Sequence, residues 1–204
     1  MDYKTGNNLH DQDMVEKVLR GDTNAFSAII KATEGLVAQI VFRMIANEEE
    51  RKDIAQDVYM KAFNKLGGFK FQSKLSTWIG QIAYNACLSY LEKKRLVLPG
   101  NSHREDDTME EGLEALSSKT DYALNSEPEK LISQKELSAI MQSAIEKLSP
   151  VYKTMITLYH HEDLSYEEIS QITQLPAGTV KSYLFRARKS LKESILAKYK
   201  KDEL

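Results

Sequence analysis

The sequence predicts an all-α protein built as two helical units with an acidic segment between them. Three observations lead there. The 204 residues include only nine Gly and four Pro, and helix-forming Leu, Ala, Glu, Lys, Gln and Ile dominate. Apolar residues recur at helical spacing on both sides of residues 98–128, where the periodicity gives out. Hairpin signals such as Asn-Gly or Asp-Gly between alternating runs are missing. A hydrophobic share of 42% suffices for one large core or two of about 100 residues each.

Asp11 to Arg20 carries Met14, Val15, Val18 and Leu19 at helical spacing, and Gly21-Asp22 ends it. Asp22 can cap a second helix whose stripe includes Phe26, Ile29 and Ile30. From Leu36 to Ile45 that stretch is almost wholly apolar, which predicts burial on most sides. Asp53 to Leu66 turns Ile54, Val58, Ala62 and Leu66 inward, and Gly67-Gly68 stops it. Residues 69–76, Phe-Lys-Phe-Gln-Ser-Lys-Leu-Ser, are expected to form a loop. Ser76 is the expected N-cap of a long helix running to Arg95, with Trp78, Ile79, Ile82, Ala83, Ala86 and Tyr90 inward. Gln81, Asn85 and Leu88 fall on its opposite side, where an exposed Leu suggests an interface.

Residues 98–128 crowd acidic side chains into a weakly hydrophobic segment, as a flexible linker does. Periodicity resumes with Leu131, Ile132, Leu137, Ile140, Met141, Ala144, Ile145 and Leu148. Ser149-Pro150 starts a further helix with Met155, Ile156 and Tyr159 inward.

Charge is distributed in the same three parts. The net −2 of the chain resolves into +2 over residues 1–97, −6 over 98–128 and +2 over 129–204. Basic residues outnumber acidic ones 7 to 1 in 61–95 and 8 to 1 in 176–201. Two basic patches separated by an acidic strap suit a polyanionic partner.

Cys87 is the only cysteine, so an internal disulfide is excluded and a cytoplasmic location is expected. The first thirty residues hold no apolar signal core, and no apolar run reaches the length of a membrane span. Lys201-Asp202-Glu203-Leu204 spells an ER-retention signal, which without such a core reads as a polar tail.

The most specific local pattern lies in 164–191. Ser165 and Glu168 have capping-box spacing, and Leu164 with Ile169 that of a hydrophobic staple. A short helix from Tyr166 to Thr173 breaks at Gln174-Leu175-Pro176 and a second one follows. Its inward stripe is Val180, Leu184, Ala187, Leu191 and Ile195; its free face carries Lys181, Ser182, Phe185, Arg186, Arg188, Lys189 and Lys192. Two short helices, the second basic on its free face, form a helix-turn-helix suited to a DNA major groove.

Leu175-Pro176-Ala177-Gly178-Thr179-Val180-Lys181-Ser182 through Arg186-Ala187-Arg188, preceded by Leu164-Ser165-Tyr166-Glu167-Glu168-Ile169, resembles the minus-thirty-five-reading helices of extracytoplasmic-function sigma factors. Independently, Asp53 through Phe63 is similar to that family's polymerase-docking helix, and Thr77 through Asn85 to the helix beside its minus-ten-reading loop. The resemblance implies a promoter-specificity subunit that binds core RNA polymerase and promoter DNA, with residues 1–97 serving the minus-ten element and 129–204 the minus-thirty-five element. It assigns Thr179, Lys181, Ser182, Phe185, Arg186 and Lys189 to minus-thirty-five contacts. Phe69, Lys70, Phe71, Lys74 and Asn85 fall to the minus-ten single strand, where aromatics and lysines together fit unstacked bases and their backbone. Phe69 has a second reading as a residue that closes the core, which is also the reading of Trp78. Asp53, Gln56 and Asp57, at i, i+3 and i+4 on one helix face, fall to polymerase. The acidic linker has two readings, a nucleic-acid mimic in polymerase's RNA exit path or a plain flexible tether. An anti-sigma protein is a further implied partner. Glu92, Ser89 and Tyr183 depart from the usual pattern and leave the promoter sequence open.

Catalytic arrangements are not found. Adjacent His160 and His161 point apart on a helix, Cys87 reads as a packing residue, and phosphate-binding or nucleophile-elbow motifs are absent. A non-enzymatic protein without metal or cofactor is expected. The alternative is a helix-turn-helix regulator whose N-terminal half dimerises or senses a ligand.

Overall fold

The computed structural model describes residues 3–97 and 134–202; the expected linker at 98–128, and Leu131 and Ile132, lie outside them. Among the described residues there is helix and no strand, as the composition and periodicity predict. The N-terminal unit holds α1 (Tyr3–Leu19), α2 (Thr23–Met44), α3 (Glu48–Lys65) and α4 (Leu75–Val97), with a 3-10 turn at Leu66–Gly68. The C-terminal unit holds α5 (Gln134–Glu146), α6 (Pro150–His160), α7 (Tyr166–Thr173) and α8 (Ala177–Asp202).

Local chemistry sets the helix ends. Gly21 stands at φ +96°, which lets its N–H reach Val18 O and the Asp22 N–H reach Lys17 O, closing α1 in a Schellman pattern. Asp22 then opens α2, its Oδ1 accepting from the N–H groups of Asn24 at 2.9 Å and Ala25 at 3.3 Å. Asn47 caps α3 by accepting from Glu49 N–H, and Glu48, Glu49 and Glu50 place negative charge on its first turn. Ser149 caps α6 ahead of Pro150.

The start of α4 corrects the expectation for Ser76. The helix begins at Leu75, two residues before the Thr77 start that a Ser76 cap implies, and the Leu75 N–H donates to Asp11 Oδ2 at 2.9 Å. A carboxylate from α1, 64 residues away in sequence, does what the local serine was expected to do. Leu19, expected inward, is 58% exposed at the end of α1.

Helix α4 is the wall shared by the two units. Its expected inward residues Ile79 and Ala83 are fully buried, while Trp78, Ile82, Ala86 and Tyr90 are half-buried against the same core. Thr77, Gly80, Tyr84 and Cys87 are buried as well, a second covered face that periodicity did not single out. The neighbours are α2 and α3 on one side and α7 on the other. Gln81, Asn85 and Leu88, expected outward, are therefore half-buried, and Leu88 packs against the core.

Helix α2 is covered from both units too, by α1, α3 and α4 and by α6. Its composition is long and apolar enough to cross a membrane, and these neighbours account for it: Ala25, Ile29, Thr33, Val37, Ile40, Val41 and Met44 are buried. The buried side chains of both units form one continuous cluster.

Replacing Asp22 by Ala leaves two N–H groups of α2 without their side-chain acceptor and should lower stability by about 1 kcal/mol. Urea unfolding followed by circular dichroism measures it, with an unchanged slope and a lower midpoint expected.

Candidate nucleic-acid interfaces

Helices α7 and α8 form the expected helix-turn-helix. Ser165 Oγ accepts from Glu168 N–H at 3.2 Å and the Glu168 carboxylate accepts from Ser165 N–H at 2.9 Å, completing the capping box. Gln174 takes the left-handed conformation at φ 60°, reversing the chain between the helices. Ser170 and Thr173 hold the turn from within, the first donating to Leu175 O and the second accepting from Leu175 N–H. Val180, Leu184, Ala187 and Leu191 are buried, and Ile195 packs against them. Lys181, Arg186, Arg188 and Lys189 are exposed on the other side, with Phe185 at 55%. Thr179 and Ser182 are half-buried at its border, and Ser182 Oγ donates to Gly178 O.

Sequence reasoning missed how Arg188 is held. Its Nε donates to His160 Nε2 at 3.3 Å and its guanidinium lies 4.9 Å from the centre of the Tyr159 ring, itself stacked on Tyr166. Burial, and then the Arg188 charge, push the His160 pKa below its ordinary value, with Asp163 opposing. Nothing in the local sequence pairs residues 28 apart across two helices.

The loop, residues 69–74 ahead of α4, is ordered around aromatic packing. Phe69 is 7% exposed, with its ring 4.7 Å from Phe71 and 5.1 Å from Trp78. Phe69 thus packs into the core and also lines the cleft beside the loop. Phe71 is half-buried with φ at +56°, a strained conformation for a bulky residue. Lys70 and Lys74 are exposed, and Lys74 Nζ lies 2.7 Å from Glu168 Oε1. Asn85, two turns further along α4 than Trp78, is half-buried and does not line the cleft that Phe69 and Lys70 do.

That cleft, of about 640 Å³, separates the loop from the helix-turn-helix. Gly68, Phe69, Lys70, Gln72, Trp78 and Gln81 form one wall, and Ser170, Gln171, Gln174 and Pro176 the other. Trp78, expected as core, is both packed and cleft-lining.

On α3, Asp53, Gln56 and Asp57 are exposed together while Ile54 and Val58 are buried. Asp57 lies 3.7 Å from Lys61. Among the described residues no cluster of three His, Cys, Asp or Glu can hold a metal. Burial pushes the Cys87 thiol up to about 12, which fits a packing residue.

Two family models match: Sigma-70 region 2 over residues 29–97 and Sigma-70 region 4 over 138–191. The chain is 33% identical over 187 residues to the RNA polymerase sigma-H factor of Pseudomonas aeruginosa, covering 91% of this chain and 93% of that one. It is 34% identical over 189 residues to the ECF RNA polymerase sigma-E factor of Escherichia coli K12, covering 92% and 95%. The ECF sigma factor SigW of Bacillus subtilis is 32% identical over 182 residues, covering 89% and 94%. Among solved structures, the sigma factor RpoE of Bartonella quintana, in complex with the anti-sigma factor NepR, shares the fold at TM-score 0.59 and 21% identity, covering 83% of this chain and 96% of that one. CnrH, solved with the cytosolic domain of CnrY, shares it at TM-score 0.58 and 17% identity, covering 92% and 97%. The chain belongs to the extracytoplasmic-function sigma factors, which bind core RNA polymerase and promoter DNA and direct promoter-specific transcription initiation.

Because folding lowers the proton affinity of His160, the unfolded chain takes up that proton first on acidification. The stability tied to neutral His160 should be present above the ordinary value of 6.5 and lost as pH falls below it. Thermal unfolding across that range should show the wild type losing more than His160→Gln, whose amide oxygen still accepts from Arg188.

Proposed function

We propose that the two units divide promoter recognition between them as follows. Residues 129–204 read the minus-thirty-five element through α8, with Lys181, Phe185 and Arg186 toward base edges and Thr179, Ser182 and Lys189 at the groove border and backbone. One observation carries this reading: α8 buries a complete apolar stripe while its opposite face holds exposed cations around an exposed phenylalanine. An arginine there can donate two hydrogen bonds to a guanine edge, and the lysines neutralise phosphate.

Residues 1–97 serve the minus-ten element and the polymerase. Lys70, Phe71 and Lys74 meet the non-template strand, Asn85 extends the contact along α4, and Phe69 stiffens the loop from beneath. The exposed lysines and the strained, half-buried Phe71 support this, since stacking offsets the cost of an unpaired base. Asp53, Gln56 and Asp57 present an exposed polar face to core polymerase. Residues 98–128, rich in acidic side chains, connect the two units in sequence.

The protein acts in the cytoplasm as a binding factor and performs no chemistry of its own. An anti-sigma protein restrains it, by analogy with the RpoE–NepR complex.

Transcription in vitro with bacterial core polymerase, with and without the protein, on a genomic promoter library tests the whole reading. Transcripts that require the protein should appear, sharing two elements. Arg186→Ala should weaken promoter use by about 1–3 kcal/mol and relax preference at one minus-thirty-five base. Unaltered use of a mapped promoter would remove Arg186 from base recognition. Asp53→Ala with Asp57→Ala should instead lower affinity for core polymerase in the absence of DNA.

A further inference from the structure

The cationic face of α8 extends past the residues assigned to the groove. Arg188 follows Lys181 by about two helical turns on the same face, and it is exposed. Three helices hold it. Its Nε donates to His160 Nε2 of α6 at 3.3 Å, and its guanidinium lies 4.9 Å from the centre of the Tyr159 ring. It also hydrogen-bonds the side chains of Tyr159 and of Tyr166 on α7, whose rings stack at 5.1 Å. Lys181 lies within electrostatic range of Tyr166. A guanidinium has five N–H donors. With His160 and the tyrosines served, the others remain for phosphate oxygens, which the planar fork fits.

His160 is exposed and can accept from Arg188 only as a neutral ring, because a protonated ring donates from both nitrogens. In the free chain that neutral form is favoured: burial opposes the charged ring first and the Arg188 charge second, with Asp163 acting the other way. Tyr159 meets the ring edge to face at 4.8 Å, and the neighbouring His161 is turned to Glu162 at 3.0 Å. Arg188 and Asp163 are therefore the charges that act on the ring. A phosphate on Arg188 changes this balance, since it offsets the guanidinium charge and competes with the imidazole for the same donors.

We propose that His160 and Arg188 form a proton-linked site for a DNA backbone phosphate at the edge of the helix-turn-helix: His160 accepts from Arg188 in the free chain and takes up a proton when a phosphate engages Arg188. The proton goes to Nε2, which then donates to the phosphate that Arg188 has turned to. Duplex binding by α8 thus draws in a proton and tightens as pH falls through the histidine range. The sign is opposite to that for folding, where the same histidine makes acid destabilising. This rests on the reading of α8 as the face that meets promoter DNA.

Fluorescence anisotropy with full-length protein and a short fluorescein-labelled duplex of mixed sequence tests it, at fixed ionic strength from about pH 8 to about pH 5.5. A phosphate contact carries no sequence information, so a mixed sequence suffices. Wild-type affinity should rise about fivefold more across this range than that of His160→Gln, the gain from a rise of less than one unit in the histidine pKa on binding. Partial acid unfolding lowers affinity and is greater in the wild type, so it opposes this difference and cannot produce it. Arg188→Ala should bind more weakly at every pH and lose most of the acid gain, because the phosphate then has no guanidinium charge to offset. Titration calorimetry in two buffers of different ionisation enthalpy should detect proton uptake on binding near pH 6.5 by wild type and less by His160→Gln. Equal acid gains in wild type and His160→Gln would overturn the proposal, as would an undiminished gain in Arg188→Ala. Lys189→Ala separates the underlying reading: it should weaken binding at every pH and keep the acid gain, and unaltered binding would remove α8 as the DNA face whatever the histidine does.

Discussion

The approach of α7 to α4 at Gly80 is the constraint on which the rest of the arrangement depends. A larger residue at position 80 would meet both Ile172 and Leu36 Cδ2, the latter at 3.3 Å, so the site where the two units touch is also where α2 packs against α4. One missing side chain lets three helices converge. The close contact makes the two cores continuous, and it brings the cap of the DNA-reading motif within an ion pair of the loop on the other unit. Surface pairs of this kind stabilise little by themselves. Their value here is positional, because the apolar contact beneath them has already fixed both partners.

Around that contact, helices divide buried apolar faces from exposed polar ones with little overlap. Helix α8 buries one stripe and exposes the other, and α3 buries Ile54 and Val58 while exposing Asp53, Gln56 and Asp57. The loop is the exception, since its aromatic residues serve both ends. Phe69 is buried and Phe71 half-buried in a left-handed backbone conformation, so the loop is rigid where it meets the core and polar where it meets solvent.

Electrostatics at the junction follow the same geometry. Burial alone would raise the Glu168 carboxyl, but Lys74 and the Ser165 N–H outweigh it and hold the pKa below the ordinary value. The pair is therefore present at neutral pH and lost as pH falls through that depressed value. Tyr84, buried beside Cys87 with Tyr183 nearby, is pushed up to about 12 mainly by desolvation, so the wall between the units carries no ionised group at that point.

What the sequence determined by itself was everything set by neighbours along the chain. The Gly21-Asp22 stop and cap, the Ser165–Glu168 capping box and the two faces of α8 all act within a few residues, and each is found where the pattern puts it. The family followed from the same local motifs. What only the tertiary structure decided came from residues that meet across the chain. Asp11 caps α4 in place of Ser76, α4 is buried on a second face, Leu88 is covered instead of exposed, and Arg188 rests on His160 and Tyr159. No periodicity encodes those, because the spacing of a helix says which residues share a face and not how many neighbours will cover it. Phe69 shows the limit most plainly: its aromatic ring fits DNA or core equally well in sequence, and only the fold brings it against Trp78 and Phe71.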